Sequence, residues 1–360
     1  MRLDNNQQAF FALVKSGLWE KEAWLSQNKE IDYSAIMQMA EEQSVVGLLT
    51  AGQEQVKDIT APKERTLQFI GSALQIEQQN KSMNEFVAQL IEKLRKEDVF
   101  ALLVKGQGIA QCYERPLWRS CGDVDLFLSD TSYDKAKEIL LPLATDVEKE
   151  FQLLKHIGMT ISGFVVELHG TQRIRLTRRI DREIDNVQKE CFYGGEVRSW
   201  QNGNTQVFLP GANQDVIFIF THILQHLFIE GIGLRQICDW CRLLWTYRDA
   251  IDHNKLGNHL QAMGLITEWK TFGALAVEWL GMPVEAMPYY DSSFKRKGTR
   301  LLSFVLETGN FGHNRKRGGG SMRTLVRRTK DAFKMMRIFP IDAWKMYFGM
   351  IRTGLIIKAE

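Results

Sequence analysis

Two aspartates separated by a single residue, Asp123 and Asp125 in GDVDLFLS, are the first place in this 360-residue sequence where side-chain type and spacing together suggest chemistry. On an extended chain, residues two apart project from the same face, about 7 Å apart at Cα, so both carboxylates can share a hard divalent cation. Mg²⁺ takes carboxylate oxygens together with water and substrate phosphates, and one or two such ions can clamp the attacking and leaving oxygens of an in-line displacement. Phosphoryl or nucleotidyl transfer is the natural use of that arrangement. Glu167, in VVELHG, alternates in phase with Val165 on another extended segment and is expected as a third carboxylate at the same edge. Three acids in one place repel one another without a cation, so Asp125→Asn is expected to raise the stability of the metal-free protein slightly.

Upstream, LLVKGQG reads as a strand ended by Gly106 and turning into a helix whose free N–H groups attract phosphate, with Lys105 adding a positive charge. Arg119 suits either bidentate phosphate binding or pairing with an acidic loop residue. His169 reads as a structural hydrogen-bonding residue. Arg235 and Asp239, four apart, form either a helix salt bridge or part of a cleft facing the carboxylates. His222 with His226 and Cys238 with Cys241 have formal zinc spacing, but both pairs lie in apolar helical patterns and no second C-x-x-C exists, so they are expected to pack in the core.

The run LLVKGQGIAQCYERPLWRSCGDVDLFLS followed by VVELHG resembles the uncharacterised nucleotidyltransferase family of the DNA polymerase beta superfamily. The resemblance rests on Lys105, Gly106, Tyr113, Arg119, Asp123, Asp125, Glu167 and His169, and extends more loosely to His226, Arg235 and Asp239 in HILQHLFIEGIGLRQICDW. It implies an α+β fold, a mixed sheet with helices on one side. It also implies Mg²⁺ held by the two aspartates, and a third acid that assists metal binding or deprotonates an acceptor hydroxyl. Substrates would be an NTP and an acceptor that is a small molecule, a sugar, a protein or an RNA end. The wider superfamily usually has Gly-Ser at the phosphate turn, whereas this chain has Gly106-Gln107 and lacks that hydroxyl. A rival reading is a binding or regulatory module that keeps the fold without turnover.

Periodicity supplies the elements that must position these residues. Residues 1–95 form a helical unit, with Phe10, Leu13, Val14 and Leu18 at helical spacing and one amphipathic helix over Ile76 to Lys96. The core, 96–210, reads as a strand from Val99, a short helix from Gln107 to Tyr113, a second strand from Asp123, and a helix capped by Thr131 through Tyr133, Ala136 and Leu140. A hairpin over KHIGMTISGFVVELHG turns at Ser162 and Gly163. Helical periodicity returns over 211–314, and a basic helical tail, 315–360, follows the glycine run Gly318 to Gly320. Internal repeats are absent.

With 44% hydrophobic, 10% aromatic and 25% charged residues, the composition excludes disordered and fibrous classes. The N-terminus lacks the charge and apolar pattern of a secretory signal, and no uncharged run reaches about 18 residues, so a cytoplasmic protein without a transmembrane segment is expected. Five cysteines suggest reduced thiols rather than a disulfide framework. The net charge of +3 conceals an asymmetry. Residues 315–360 hold twelve Lys or Arg against Asp331, Asp342 and Glu360, leaving the rest of the chain at −6. Such a block is a solvated helix face or a contact for a polyanion or an anionic membrane. If the tail binds a polyanion, neutralising Arg323, Arg327 and Arg328 weakens that binding and flattens its salt dependence. Filter binding across a salt series measures both, and unchanged binding by the triple variant at raised salt would leave the tail as a packed or solvated helix only.

Overall fold

The apolar periodicities resolve, in a computed structural model that describes residues 3–27, 30–312, 321–340, 343–345 and 347–349, into helices and two small sheets. In chain order they are α1 (Asn5–Trp19), α2 (Tyr33–Glu42), α3 (Val46–Glu54), α4 (Lys63–Lys96), β1 (Ala101–Val104), α5 (Gly106–Ala110), β2 (Asp123–Leu128), α6 (Asp130–Leu140), β3 (Asp146–Val147), β4 (His156–Ile161), β5 (Phe164–His169), α7 (Arg178–Tyr193), β6 (Val197–Asn202) and β7 (Thr205–Pro210). After them come α8 (Ala212–Ile229), α9 (Leu234–Thr246), α10 (His253–Met263), α11 (Ile266–Leu280), α12 (Lys295–Thr308) and α13 (Ser321–Met336). Two units result. A helical unit comprises Met1–Ala73, Ile174–Asp181 and Phe220–Glu360, and a sheet unit comprises Leu74–Arg173 and Arg182–Ile219.

In the sheet unit the strand order is β1-β2-β5-β4-β3, with β2 and β5 parallel and the other pairs antiparallel, which makes the mixed sheet of an α+β fold. Alternation divides its side chains between two faces. Ala101, Leu103, Val124, Leu126, Leu128, Ile157, Met159, Ile161, Val166 and Leu168 share one core with Met83, Val87, Leu90 and Leu94 of α4 and Tyr133, Ala136 and Leu140 of α6. Asp123, Asp125, Glu167, His169 and His156 lie on the other face, where Phe127 packs on Phe192 and Phe218. The apolar positions of each strand therefore anchor the sheet, and the polar positions between them are free to do chemistry.

Ser162 and Gly163 connect β4 to β5 with φ of 52° and 83°. Two consecutive left-handed residues make the turn whose twist matches that of antiparallel strands. It sets Ile161 against Phe164, Gly158 against Glu167 and His156 against His169.

Three local expectations change. Helix α4 begins at Lys63 rather than Ile76, because Pro62 offers its carbonyl to Thr66 N–H at 3.0 Å and the following residues are mostly strong helix formers. Helix α6 starts at Asp130, with Ser129 rather than Thr131 at its N-cap, so an acid occupies the positive end of the helix. The β6–β7 hairpin has no counterpart in the sequence reading, since the polar string VRSWQN alternates between exposed and half-buried positions and lacks a strong apolar face.

In the helical unit, α1 and α3 cross with Gly17 and Gly52 at the contact. A Cβ on either would lie 1.9 Å from a carbonyl oxygen of the other helix, at Leu48 and Leu13 respectively. Phe220, Trp240, Trp269 and Phe272 form an aromatic cluster with centroids 4.7 to 6.4 Å apart. Cys238 and Cys241 are buried on α9, and all five cysteines are free thiols. Among the described residues no helix is long and apolar enough to cross a membrane. Arg315, Lys316, Arg317, the run Gly318 to Gly320 and the side chains of Arg323, Arg327 and Arg328 lie outside the described residues.

The β4–β5 turn is open to a direct check. Gly163→Ala forces a Cβ into the left-handed region, which costs about 1–2 kcal/mol, whereas Asn at Ser162 suits the same region and leaves stability unchanged or raised. Urea denaturation followed by circular dichroism measures both variants, and equal midpoints for Gly163→Ala and the parent chain would contradict the assigned turn.

Candidate active site

Parallel pairing of β2 with β5 sets Asp125 directly against Glu167, with Asp123 two residues before Asp125 on the same face. Carboxylate oxygens of Asp123, Asp125 and Glu167 lie within 4.8 Å of one another. Lys105 joins them by an irregular step of the backbone. Val104 pairs with Asp125, so regular pleating would send Lys105 to the helix-packed face with Leu103. Its φ of 57° breaks the alternation instead, and its ammonium donates to Asp125 Oδ1 at 2.8 Å. A non-glycine residue held at positive φ stores strain that the surrounding contacts must offset. Gly106 follows at φ +33°, where a Cβ would also lie only 3.2 Å from the Asp123 carbonyl oxygen.

His169 Nε2 lies 2.7 Å from Asp125 Oδ1 and 3.3 Å from Glu167 Oε2, and His156 Nε2 lies 3.2 Å from the same Glu167 oxygen. Asp125 is 1% exposed, and its Oδ2 is buried with no hydrogen-bond partner. Burial alone would push the Asp125 carboxyl up, but the Lys105 ammonium and the His169 hydrogen bond hold it below the usual carboxylate range. Glu167 follows the same logic: burial opposes its charge, and hydrogen bonds from His156 and His169 outweigh it and keep the group well below its ordinary value. Burial and Lys105 push His169 down, while Asp125 and Glu167 raise it further than that. Lys105 is likewise lowered by burial and raised on balance by Asp125 and Glu167. The face therefore carries ionised carboxylates matched by one ammonium and two imidazoles. This corrects the sequence-based picture of three acids in simple repulsion.

The remaining residues of the motif fall in several places. Arg119, 9% exposed, donates from Nη1 to Cys121 Sγ at 3.1 Å, and its carbonyl accepts from Asn80 Nδ2 at 2.7 Å, which ties the loop before β2 to α4. Tyr113 is buried just beyond α5. Gln107 is buried too, and its amide donates to Asn80 Oδ1 at 3.4 Å. Arg235, Asp239, His222 and His226 belong to the helical unit, where His226 Nδ1 lies 3.6 Å from Glu230. Cys238 and Cys241 are fully buried, and burial pushes both thiols above their ordinary value, as expected of core residues. Among the described residues, groups of three potential metal ligands occur at Asp123, Asp125 and Glu167 and at His156, Glu167 and His169.

His156 escaped the sequence reading. It is the first residue of β4, in KHIGMT, and the two-residue turn at Ser162 and Gly163 sets it opposite His169. Counting back from that turn would have found it.

The model of the uncharacterised nucleotidyltransferase family matches residues 29–281. No curated protein and no solved structure matches the chain.

The Lys105–Asp125 contact reverses the expected sign of one substitution. Asp125→Asn removes the charge that balances a buried ammonium, so it destabilises the protein by about 3 kcal/mol, near the lower end for breaking a buried ion pair because Asn keeps an acceptor oxygen. Adding Lys105→Met recovers part of the loss, a coupling that a double-mutant cycle reads out. Thermal unfolding without metal provides the measurement, and an Asp125→Asn variant at least as stable as the parent would refute the pairing.

Proposed function

Because this chain belongs to the uncharacterised nucleotidyltransferase family, we propose that it transfers a nucleoside monophosphate group from an NTP to a hydroxyl acceptor, with Asp123, Asp125 and Glu167 as the acids of the site. The observation that carries this reading is the orphaned Oδ2 of Asp125, buried beside two further carboxylates whose ligand oxygens fall within 4.8 Å. A buried acceptor without a donor is costly unless a cation completes it. Hard oxygen donors at this spacing fit Mg²⁺, one or two ions, which when bound would neutralise phosphate charge as pyrophosphate leaves.

This chain's own residues do the positioning. Lys105 and His169 engage Oδ1 of Asp125 and leave Oδ2 for the ligand role. His156 and His169 fix Glu167 on its Oε2 side. Set directly against Asp125 across the parallel strand pair, Glu167 serves as a ligand and contributes charge neutralisation. The acceptor oxygen bonds to the α-phosphorus as the bond to the β-phosphate breaks, pyrophosphate departs with the electron pair, and the acceptor proton passes to water. Catalysis then comes mainly from orientation and preorganised charge. Lys105 and the Gly106 turn border the same face, and Arg119, in the loop before β2 of the same unit, is the further cation assigned to substrate phosphate.

A binding module without turnover is favoured by one observation, the Gln107 side chain, which turns to Asn80 and brings no hydroxyl to the phosphate turn. Transfer of label from an α-phosphate-labelled NTP to a cell-extract acceptor pool, with Mg²⁺ present, separates the two readings. Under transfer, Asp123→Asn loses both Mg²⁺-dependent NTP binding and labelling. Glu167→Gln cuts turnover about 100-fold, as for loss of one electrostatic contribution in an enclosed site, with little change in nucleotide affinity. Unchanged Mg²⁺ affinity of Asp123→Asn in titration calorimetry removes this carboxylate set from the proposal.

A further inference from the structure

Glu167 is the one residue common to both groups of potential ligands on this sheet face. On one side it meets the oxygens of Asp123 and Asp125, and on the other it meets two imidazole nitrogens. We propose that His156, Glu167 and His169 form a second cation site, selective for a divalent transition metal and sharing Glu167 with the carboxylate site.

Three observations carry it. The first is convergence: Nε2 of His156 and Nε2 of His169 both approach Oε2 of Glu167, at 3.2 Å and 3.3 Å. Ligands held 2.0–2.2 Å from a tetrahedral cation stand about 3.4 Å apart, which is the spacing seen. In the metal-free protein these nitrogens hydrogen-bond to the carboxylates, His169 Nε2 most closely to Asp125 Oδ1 at 2.7 Å, so ligation displaces those bonds and releases any proton the nitrogens carry.

Rigidity is the second observation. His156 and His169 face each other across β4 and β5 in a register set by the two-residue turn, and their rings lie 4.7 Å apart. Phe151 stacks on the outer face of the His156 ring at 6.1 Å and pairs with the His156 backbone. The ligands are thus held on strands rather than on a loop, as a metal site requires.

The third is donor chemistry. Two nitrogens and one carboxylate suit Zn²⁺, Mn²⁺ or Co²⁺ and are a poor set for Mg²⁺, which prefers oxygen throughout. Asp123, Asp125 and Glu167 offer only oxygen. The face therefore separates a hard half from a borderline half, with Glu167 between them. Three protein ligands leave further coordination positions for water or a substrate oxygen.

Metal binding tests this without nucleotide or acceptor, so the outcome is independent of whether the chain transfers nucleotides. The full chain is titrated with Co²⁺ in the presence of excess Mg²⁺ and followed by visible absorption and calorimetry. One equivalent of Co²⁺ is expected, with absorption bands typical of nitrogen ligation, and Mg²⁺ does not displace it. His156→Ala lowers Co²⁺ affinity about tenfold or more and weakens the bands, and lowers Mg²⁺ affinity far less, because Glu167 keeps its contact with His169. Asp123→Asn shows the opposite pattern. His156→Gln repeats the measurement with more of the side-chain volume kept, and circular dichroism verifies that each variant is folded. Displacement of Co²⁺ by Mg²⁺ at comparable concentration, or a Co²⁺ spectrum and affinity unaltered in the His156 variants, overturns the proposal.

Discussion

A buried carboxylate is tolerated only where its charge is met, and the sheet unit is organised around meeting that of Asp125. Lys105 reaches it from the end of β1, His169 from the end of β5, and Glu167 stands beside it in parallel register. Each of these positions depends on a different feature of the chain. Lys105 needs a left-handed backbone step, and the other two need the parallel register of β5 against β2. Remove Lys105 or His169, and the Asp125 charge is left less compensated in a dry place, at a cost of several kcal/mol.

The same geometry explains how one thin sheet serves two purposes. The apolar side chains of β2, β4 and β5 join α4 and α6 in a continuous core, which contributes stability. The intervening positions contribute little to that core and carry acids and imidazoles instead. Strain at Lys105 and the unpartnered oxygen on Asp125 are both costs in the folded chain, and both fall on the polar face. Concentration of such costs at one place is what a preorganised site looks like.

Much of this was legible in the residues themselves. Asp-x-Asp on a strand, a Lys-Gly turn before it and a third acid in phase on a later strand can all be read from alternation and spacing. What could not be read has identifiable causes. Lysine gives no local signal for positive φ, so the redirection of Lys105 toward Asp125 was hidden, and with it the sign of the Asp125→Asn effect. The role of His156 depends on a register that only turn length sets. The β6–β7 hairpin draws its pairing from tertiary context, since its polar string has weak strand character of its own.

The Ser162–Gly163 turn also limits how this sequence can change over time. Most surface connections accept an added or deleted residue at small entropic cost. Here a one-residue change in length would rotate β4 by half its repeat against β5, sending His156 into the helix-packed layer and Ile157 out among the acids. Variation at this loop is therefore confined to identity rather than length, and the hairpin serves as a ruler measured in whole pairs of residues.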